Sequence, residues 1–203
     1  MLLCDIGNTS YHFYDGVSEY KKSVQDFNAE TITQKIYYIS VNSSVNKKLT
    51  HLKNWIDLAS YIPKSSYYET MGIDRIVACE TVENGVIVDA GSAITVDVMR
   101  DGVFEGGFIY PGVKAMQKTY REISPALDYE FNYSLNTETL AKNSQDAISY
   151  GFLKLLYGEV MSHSLPVILT GGDADKLHIF FKKAMINPHL LFNAMQKIIE
   201  KNL

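Results

Sequence analysis

Leu2-Leu3-Cys4-Asp5-Ile6-Gly7-Asn8-Thr9 is the stretch on which the reading of this chain turns. Apolar residues run into a carboxylate, then a glycine, then two small hydrogen-bonding side chains. This is the pattern of a buried strand with Asp5 at its tip. Gly7 lets the backbone turn tightly and come close to a ligand. The N–H groups of such a turn, with Asn8 and Thr9, form a concave donor surface that suits phosphate. The phrase returns as Val86-Ile87-Val88-Asp89-Ala90-Gly91-Ser92-Ala93, and more loosely as Val167-Ile168-Leu169-Thr170-Gly171-Gly172-Asp173. The three turns read as parts of one phosphate-handling cleft.

Outward from the first turn, residues 10–14 and 19–24 read as strands around the hairpin signal Asp15-Gly16. Residues 36–41 are rich in strand formers. Residues 46–55, which include the sole tryptophan, Trp55, read as a helix. Tyr61-Ile62-Pro63 reads as a short strand ended by proline. Residues 72–84 place Ile73, Ile76, Val77 and Val82 on one helical face, closed by Asn84-Gly85 as a C-cap. Strands follow at 94–99 and 103–110 around Arg100-Asp101-Gly102. The order after residue 85 thus repeats the order after residue 1, which implies an internal duplication. Helices are expected over 113–122, 140–163 and 174–184, with a loop at 124–139 and a strand at 166–170. A last helix opens at Asn187-Pro188. The expected domains are 1–84 and 85–203.

Composition narrows the function. The 203 residues are 46% hydrophobic and 21% charged, which is a globular balance. A formal net charge of −4 argues against a nucleic-acid or anionic-membrane partner. Cys4 and Cys79 lie in apolar runs and read as buried thiols of a reducing compartment. No apolar run approaches the roughly 20 residues of a membrane span. The N-terminus lacks a basic segment ahead of its apolar residues, so it reads as a first strand, and the expected location is cytoplasmic.

Two strand-end carboxylates, Asp5 and Asp89, can hold a cation and its water beside nucleotide phosphates. Either alone reads first as a structural turn; the duplication favours the functional reading. In Gly72-Ile73-Asp74-Arg75 the Asp–Arg pair can be a helix-opening ion pair, or Asp74 can be a general base with Arg75 binding a phosphate or carboxylate. Tyr67 and Tyr68 line the same pocket or simply pack. Gly106-Gly107 inside a strand implies close approach of a backbone or ligand. Thr170-Gly171-Gly172 reads as a strand-to-helix turn for adenosine or its α-phosphate. There is no Gly-Lys-[Ser/Thr] phosphate loop and no Gly-x-Ser-x-Gly elbow. His12, His51, His163, His178 and His189 lack zinc-ligand spacing. Only His12, just after the first turn, is placed to reach a phosphate.

Taken in order, Asp5-Ile6-Gly7-Asn8-Thr9, Gly72-Ile73-Asp74-Arg75, Asp89-Ala90-Gly91-Ser92-Ala93-Ile94-Thr95, Gly106-Gly107-Phe108-Ile109-Tyr110-Pro111-Gly112 and Thr170-Gly171-Gly172 resemble the motifs of type III pantothenate kinases. These belong to the acetate and sugar kinase, Hsc70 and actin superfamily. The resemblance implies an α/β fold: a duplicated ribonuclease H-like, actin-like ATPase with two mixed-sheet domains and an interdomain nucleotide cleft. It implies phosphorylation of pantothenate by ATP, the first step toward coenzyme A. ATP contacts fall on Asp5, Ile6, Gly7, Asn8, Thr9, Ser10, Tyr11, His12 and Ser92, with Mg2+ held by Asp5 through water. Asp74 is the implied catalytic base. Tyr68 (or Tyr67), Gly72, Ile73, Asp74, Arg75 and Ser144 are implied to bind pantothenate, and Asp89 a monovalent cation, K+ or NH4+. A cytoplasmic homodimer is implied as well. Two departures stand out: Ser92 replaces the commoner threonine, and His12 a more basic residue. The rival readings are a kinase for another small hydroxy acid or sugar, and a non-catalytic regulatory protein on the same fold.

Overall fold

The computed structural model describes residues 1–203. Each half of the repeated pattern becomes a five-stranded mixed sheet. The first contains β1 (Leu2–Ile6), β2 (Ser10–Tyr14), β3 (Glu19–Ser23), β4 (Ile36–Ser40) and β5 (Trp55–Asp57), in the order β3-β2-β1-β4-β5. The second contains β6 (Gly85–Ala90), β7 (Ala93–Arg100), β8 (Val103–Pro111), β9 (Val167–Thr170) and β10 (Met185–Ile186), in the order β10-β9-β6-β7-β8. Read from the other edge, the second order is the first. The senses agree as well: the hairpin strands run antiparallel to the central strand and β4 and β9 run parallel to it.

The central strands β1 and β6 are buried on both faces, which is why their sequences are continuous apolar runs. β2 alternates between core and partly exposed positions, and the edge strand β3 is exposed throughout and carries Lys21 and Lys22. Around the sheets lie α1 (Ser43–Leu49), α2 (Ile73–Cys79), α3 (Val113–Ile123), α4 (Ser144–Ser162), α5 (Ala174–Phe180) and α6 (Leu190–Asn202). Residues 1–81 and 189–203 form one compact unit and residues 82–188 the other. The last helix, counted above with the second half, therefore belongs to the first unit. There it packs on α2 and β1. No helix is long and apolar enough to cross a membrane.

Several local expectations are corrected. The helix expected at 46–55 is α1, which starts earlier because Asn42 caps it, accepting from the N–H groups of Ser44 and Val45. Trp55 instead opens β5, which pairs with β4. Tyr61-Ile62-Pro63 is not a strand; Asp57 caps a 3₁₀ turn at Leu58–Tyr61. α2 ends at Cys79, before Asn84-Gly85. Asn84 instead accepts from the Asp101 N–H at 2.9 Å, tying the next hairpin turn, while Gly85 starts β6. The long helix starts at Ser144 because Asn143 caps it through the Asp146 N–H. α5 is shorter than its pattern and is followed by the two-residue β10. The final helix starts at Leu190 with His189 at its cap, without a side-chain cap bond. Cys4 and Cys79 are buried and unbridged.

Phe192 of α6 is 2% exposed, stacks on Tyr14 with centroids 5.1 Å apart and meets the His12 ring edge-on at 4.9 Å. Phe192→Ala is expected to lower unfolding free energy by about 3–5 kcal/mol, the usual cost of emptying an aromatic core site. Urea denaturation of the variant checks this; a loss below about 1 kcal/mol would show that α6 contributes little to the first unit.

Candidate active site

Asp5 and Asp89 are the penultimate residues of the two central strands. Asp5 lies opposite His12 on β2 and Ile39 on β4, and Asp89 opposite Thr95 on β7 and Thr170 on β9. After each carboxylate the chain turns on a glycine: the Gly7 N–H donates to the Ser10 carbonyl at 3.0 Å, and the Gly91 N–H to the Ala93 carbonyl at 3.0 Å. The first turn is one residue longer. Its carbonyls face the body of the first unit: that of Asn8 accepts from Asn42 Nδ2 at 3.4 Å and that of Thr9 from the Val24 N–H at 3.0 Å. In trans peptides the N–H points opposite to the carbonyl, so the N–H groups of Thr9 and Ser10 face away from those partners. Asn8 and Thr9 are exposed, whereas Ile6 and Tyr11 are buried, which leaves the last two only their main chain for a ligand. Tyr11 packs among Phe13, Phe27 and Trp55. His12 Nε2 lies 3.0 Å from Glu19 Oε2. Burial, reinforced by Lys21 and opposed by Glu19, holds its imidazole below the ordinary pKa.

The same unit carries Gly72-Ile73-Asp74-Arg75 at the start of α2. Ile73 is buried and faces the core. Asp74 turns its carboxylate back over the helix start, where Oδ1 accepts from the Arg75 N–H at 2.8 Å. A Cβ on residue 72 would overlap that Oδ1, so glycine there is the condition for this carboxylate position. Arg75 is 6% exposed, and its Nη1 donates to the Tyr68 hydroxyl at 2.5 Å. Tyr67 donates to Glu80 Oε1 at 2.9 Å. Glu80 is a contributor that the sequence reading missed; nothing in its neighbourhood of the sequence marks it.

In the second unit the Asp89 turn is enclosed by glycines. A Cβ on Gly171 (φ +86°) would overlap Asp89 Oδ1 and stand 2.7 Å from the Ala90 carbonyl. A Cβ on Gly112 would overlap the carbonyls of Gly91 and Ser92. Ser92 is exposed, and Thr170 is buried at 7%. Gly106 is a different case: with φ +143° and open space around it, it serves a bulge in which Glu105 is extra between the pairs Val98–Gly106 and Met99–Phe104. The expected close approach belongs to Gly112 instead. Ser144 is exposed at the first position of α4, beside its cap Asn143. Two interactions with Asn132 and Asn143 hold the Asp146 carboxyl below its ordinary range.

Two equivalent mixed sheets, each with a central-strand carboxylate and glycine turn, define the actin-like ATPase and kinase fold. A 2-dehydro-3-deoxygalactonokinase protein from Sinorhizobium meliloti shares that fold at a TM-score of 0.59 and 10% identity, over 99% of this chain and 96% of its own. The chain belongs to the type III pantothenate kinase family, whose model matches residues 39–164. The Type III pantothenate kinase of Sulfurimonas denitrificans is 54% identical over 99% of this chain and 98% of its own. A crystal structure from Campylobacter jejuni, described as a conserved Baf family transcriptional activator, is 40% identical with a TM-score of 0.90, over 100% of this chain and 98% of its own.

Gly72→Ala is expected to leave the fold intact, because the atom it displaces is the mobile end of the Asp74 side chain. Turnover should fall about 10²-fold, the loss that follows a displacement of roughly 1 Å at a reacting group. Parallel kinetics and thermal melts check this; wild-type turnover in the variant would show that the carboxylate position is not controlled by Gly72.

Proposed function

We propose that this chain phosphorylates the primary hydroxyl of pantothenate with ATP, the opening step of coenzyme A biosynthesis. The observation that carries the reading to particular residues is the Asp74 carboxylate, held over the start of α2 beside the buried Arg75 and its partner Tyr68. Membership of the kinase family supplies the reaction.

In this reading the pantothenate hydroxyl oxygen attacks the γ-phosphorus. Its proton passes to Asp74, the bond between that phosphorus and the β,γ-bridging oxygen breaks, and ADP leaves. Phosphoryl transfer needs mainly positioning and charge neutralisation. Arg75 supplies a fixed cation and Tyr68 a hydroxyl for the pantothenate carboxylate, with Gly72, Ile73 and Ser144 completing the substrate contacts. The outward N–H groups of the turn from Asp5 to His12 receive ATP phosphates. Nothing in the chain crowds a Cβ at Gly7, the nearest atom being the Ser10 carbonyl at 3.8 Å. Approach of a ligand therefore accounts for that glycine better than packing does. Ser92 is a further ATP contact.

Asp5 is the residue that would hold Mg2+ through water, and its hard carboxylate oxygens suit that ion. Asp89 would hold a monovalent cation, K+ or NH4+. The Asp89 carboxylate and the Ala90 carbonyl, both close to Gly171, support this as oxygen donors of the kind hard cations prefer. These cations supply neutralisation of phosphate charge when bound. A homodimer belongs to the same proposal, supported by the exposed Val103 and Ile109 on the edge strand β8.

Asp74→Asn should bind ATP nearly as before and lose about 10²–10⁴-fold in kcat, the size of a general-base contribution. Retained turnover would remove Asp74 from that role. Asp89→Ala should abolish activation by added K+, and an unchanged K+ titration would contradict the cation assignment. A panel of small hydroxy acids and sugars, followed by ATP consumption, should show a clear preference for pantothenate.

A further inference from the structure

A cavity of about 430 Å³ opens in the second unit, beside the start of β9. Its walls are Tyr157 and Met161 on the last turns of α4, Leu165 in the link to β9, and Phe180 and Phe181 where α5 ends. The three rings pack against one another edge-on or tilted, with centroids 5.1–6.0 Å apart. Val167, which also lines the cavity, opens β9 three residues before Thr170, about 10 Å at 3.3 Å per residue. Thr170, and not Val167, is the residue of β9 that pairs with Asp89. The rim of the cavity is a tight turn. The Ala184 N–H donates to the Phe181 carbonyl at 2.9 Å, which puts Lys182 and Lys183 at the two central positions. His178 of α5 donates from Nε2 to the Ala184 carbonyl at 3.1 Å, so both backbone groups of Ala184 are held. Both lysines line the cavity and are exposed, and neither ammonium group has a partner in the chain. No acidic residue lines the cavity. The Tyr157 hydroxyl is likewise without a partner and reaches solvent.

The geometry points to this cavity as a binding site for a small amphipathic acid, one carboxylate on a single apolar chain. Protein interiors leave few voids larger than a water molecule. A space of this size walled by three aromatic rings lies within the range of small-molecule pockets, about 300–1,000 Å³. The apolar chain fills it and takes those rings out of water. The carboxylate meets Lys182, Lys183 and the Tyr157 hydroxyl at the mouth, where ionised partners strengthen each hydrogen bond. An acid fits better than a neutral ligand, because two neighbouring ammonium groups repel one another and an anion offsets that repulsion. The held turn keeps the lysines at the mouth before the ligand arrives, which lowers the ordering cost of binding. The inference stands apart from the pantothenate reading. It uses none of the residues assigned to substrate, nucleotide or cation.

The test is isothermal titration calorimetry on the full chain with three probes: octanoate, 1-octanol and acetate. Octanoate should bind saturably, one molecule per chain. Octanol has the chain without the charge and should bind about five- to tenfold more weakly, the effect of losing a partly exposed charged contact. Acetate has the charge without the chain and should give no measurable binding. The double variant Lys182→Ala/Lys183→Ala should weaken octanoate by the same factor and leave octanol unchanged. Lys182→Arg/Lys183→Arg keeps the charges and should bind octanoate as the unmodified protein does. Met161→Trp, at a helix position 36% exposed, puts a larger side chain into the cavity and should abolish binding of both chains. Saturating Mg-ATP should leave octanoate affinity within about twofold, as expected of two sites that share no residue. Thermal melts show which variants are folded, and the lysine variants, altered only in an exposed turn, keep the test decisive if Met161→Trp is not. No saturable octanoate binding by the unmodified protein would overturn the inference. So would equal affinity for octanoate and octanol, undiminished octanoate binding in the double alanine variant or in folded Met161→Trp, or displacement of octanoate by ATP.

Discussion

The Asp74 carboxylate lies back across the start of its own helix, in space left open two places earlier in the chain. Asp74 does so because residue 72 is glycine, and its Oδ1 occupies the position that a Cβ there would need. The same device recurs in the second unit, where Asp89 Oδ1 lies against Gly171 and a side chain at 171 would displace it. In each case the orientation of an acid is fixed by a missing side chain on a neighbouring segment. It also places a carboxylate within reach of a ligand, since glycine covers little of it.

The architecture explains why these acids sit where they do. A central strand flanked on one side by an antiparallel hairpin and on the other by a parallel strand is buried on both faces. Its first charged residue can come only near the end, where the burial relaxes. Asp5 and Asp89 are both partly exposed there, one residue before their strands end. The repeat of the sheet repeats the carboxylate, but the surroundings of the two copies differ. The first turn is one residue longer and is followed by His12, and the second is packed between Gly112 and Gly171.

Much of this was legible in the sequence. The central strands, both hairpins and the repeat were visible because apolar runs ending in Asp-x-Gly, and Asp-Gly turns, are local signals. Local signals failed where a cap or a distant partner decided the outcome. Asn42 and Asn143 moved two helix starts, and pairing with β4 took Trp55 out of a helix and into β5. Gly106 was read as a ligand approach although it serves a bulge, because the sequence records the glycine and not the space around it. The candidate residues around Asp74 were recognisable as a motif, but their support was not. Glu80 accepts from Tyr67, 13 positions away, a relation created only by the fold. The membership of α6 in the first unit was hidden for the same reason: its apolar face reads alike whichever sheet it covers.

The most direct measurement is a crystal structure of the protein with pantothenate and a non-hydrolysable ATP analogue. The account predicts the primary hydroxyl of pantothenate within about 2.6–3.2 Å of the Asp74 carboxylate, the reach a general base requires, with the pantothenate carboxylate on Arg75 and Tyr68. Pantothenate bound elsewhere, with Asp74 still turned onto the Arg75 N–H and facing no hydroxyl, would contradict it.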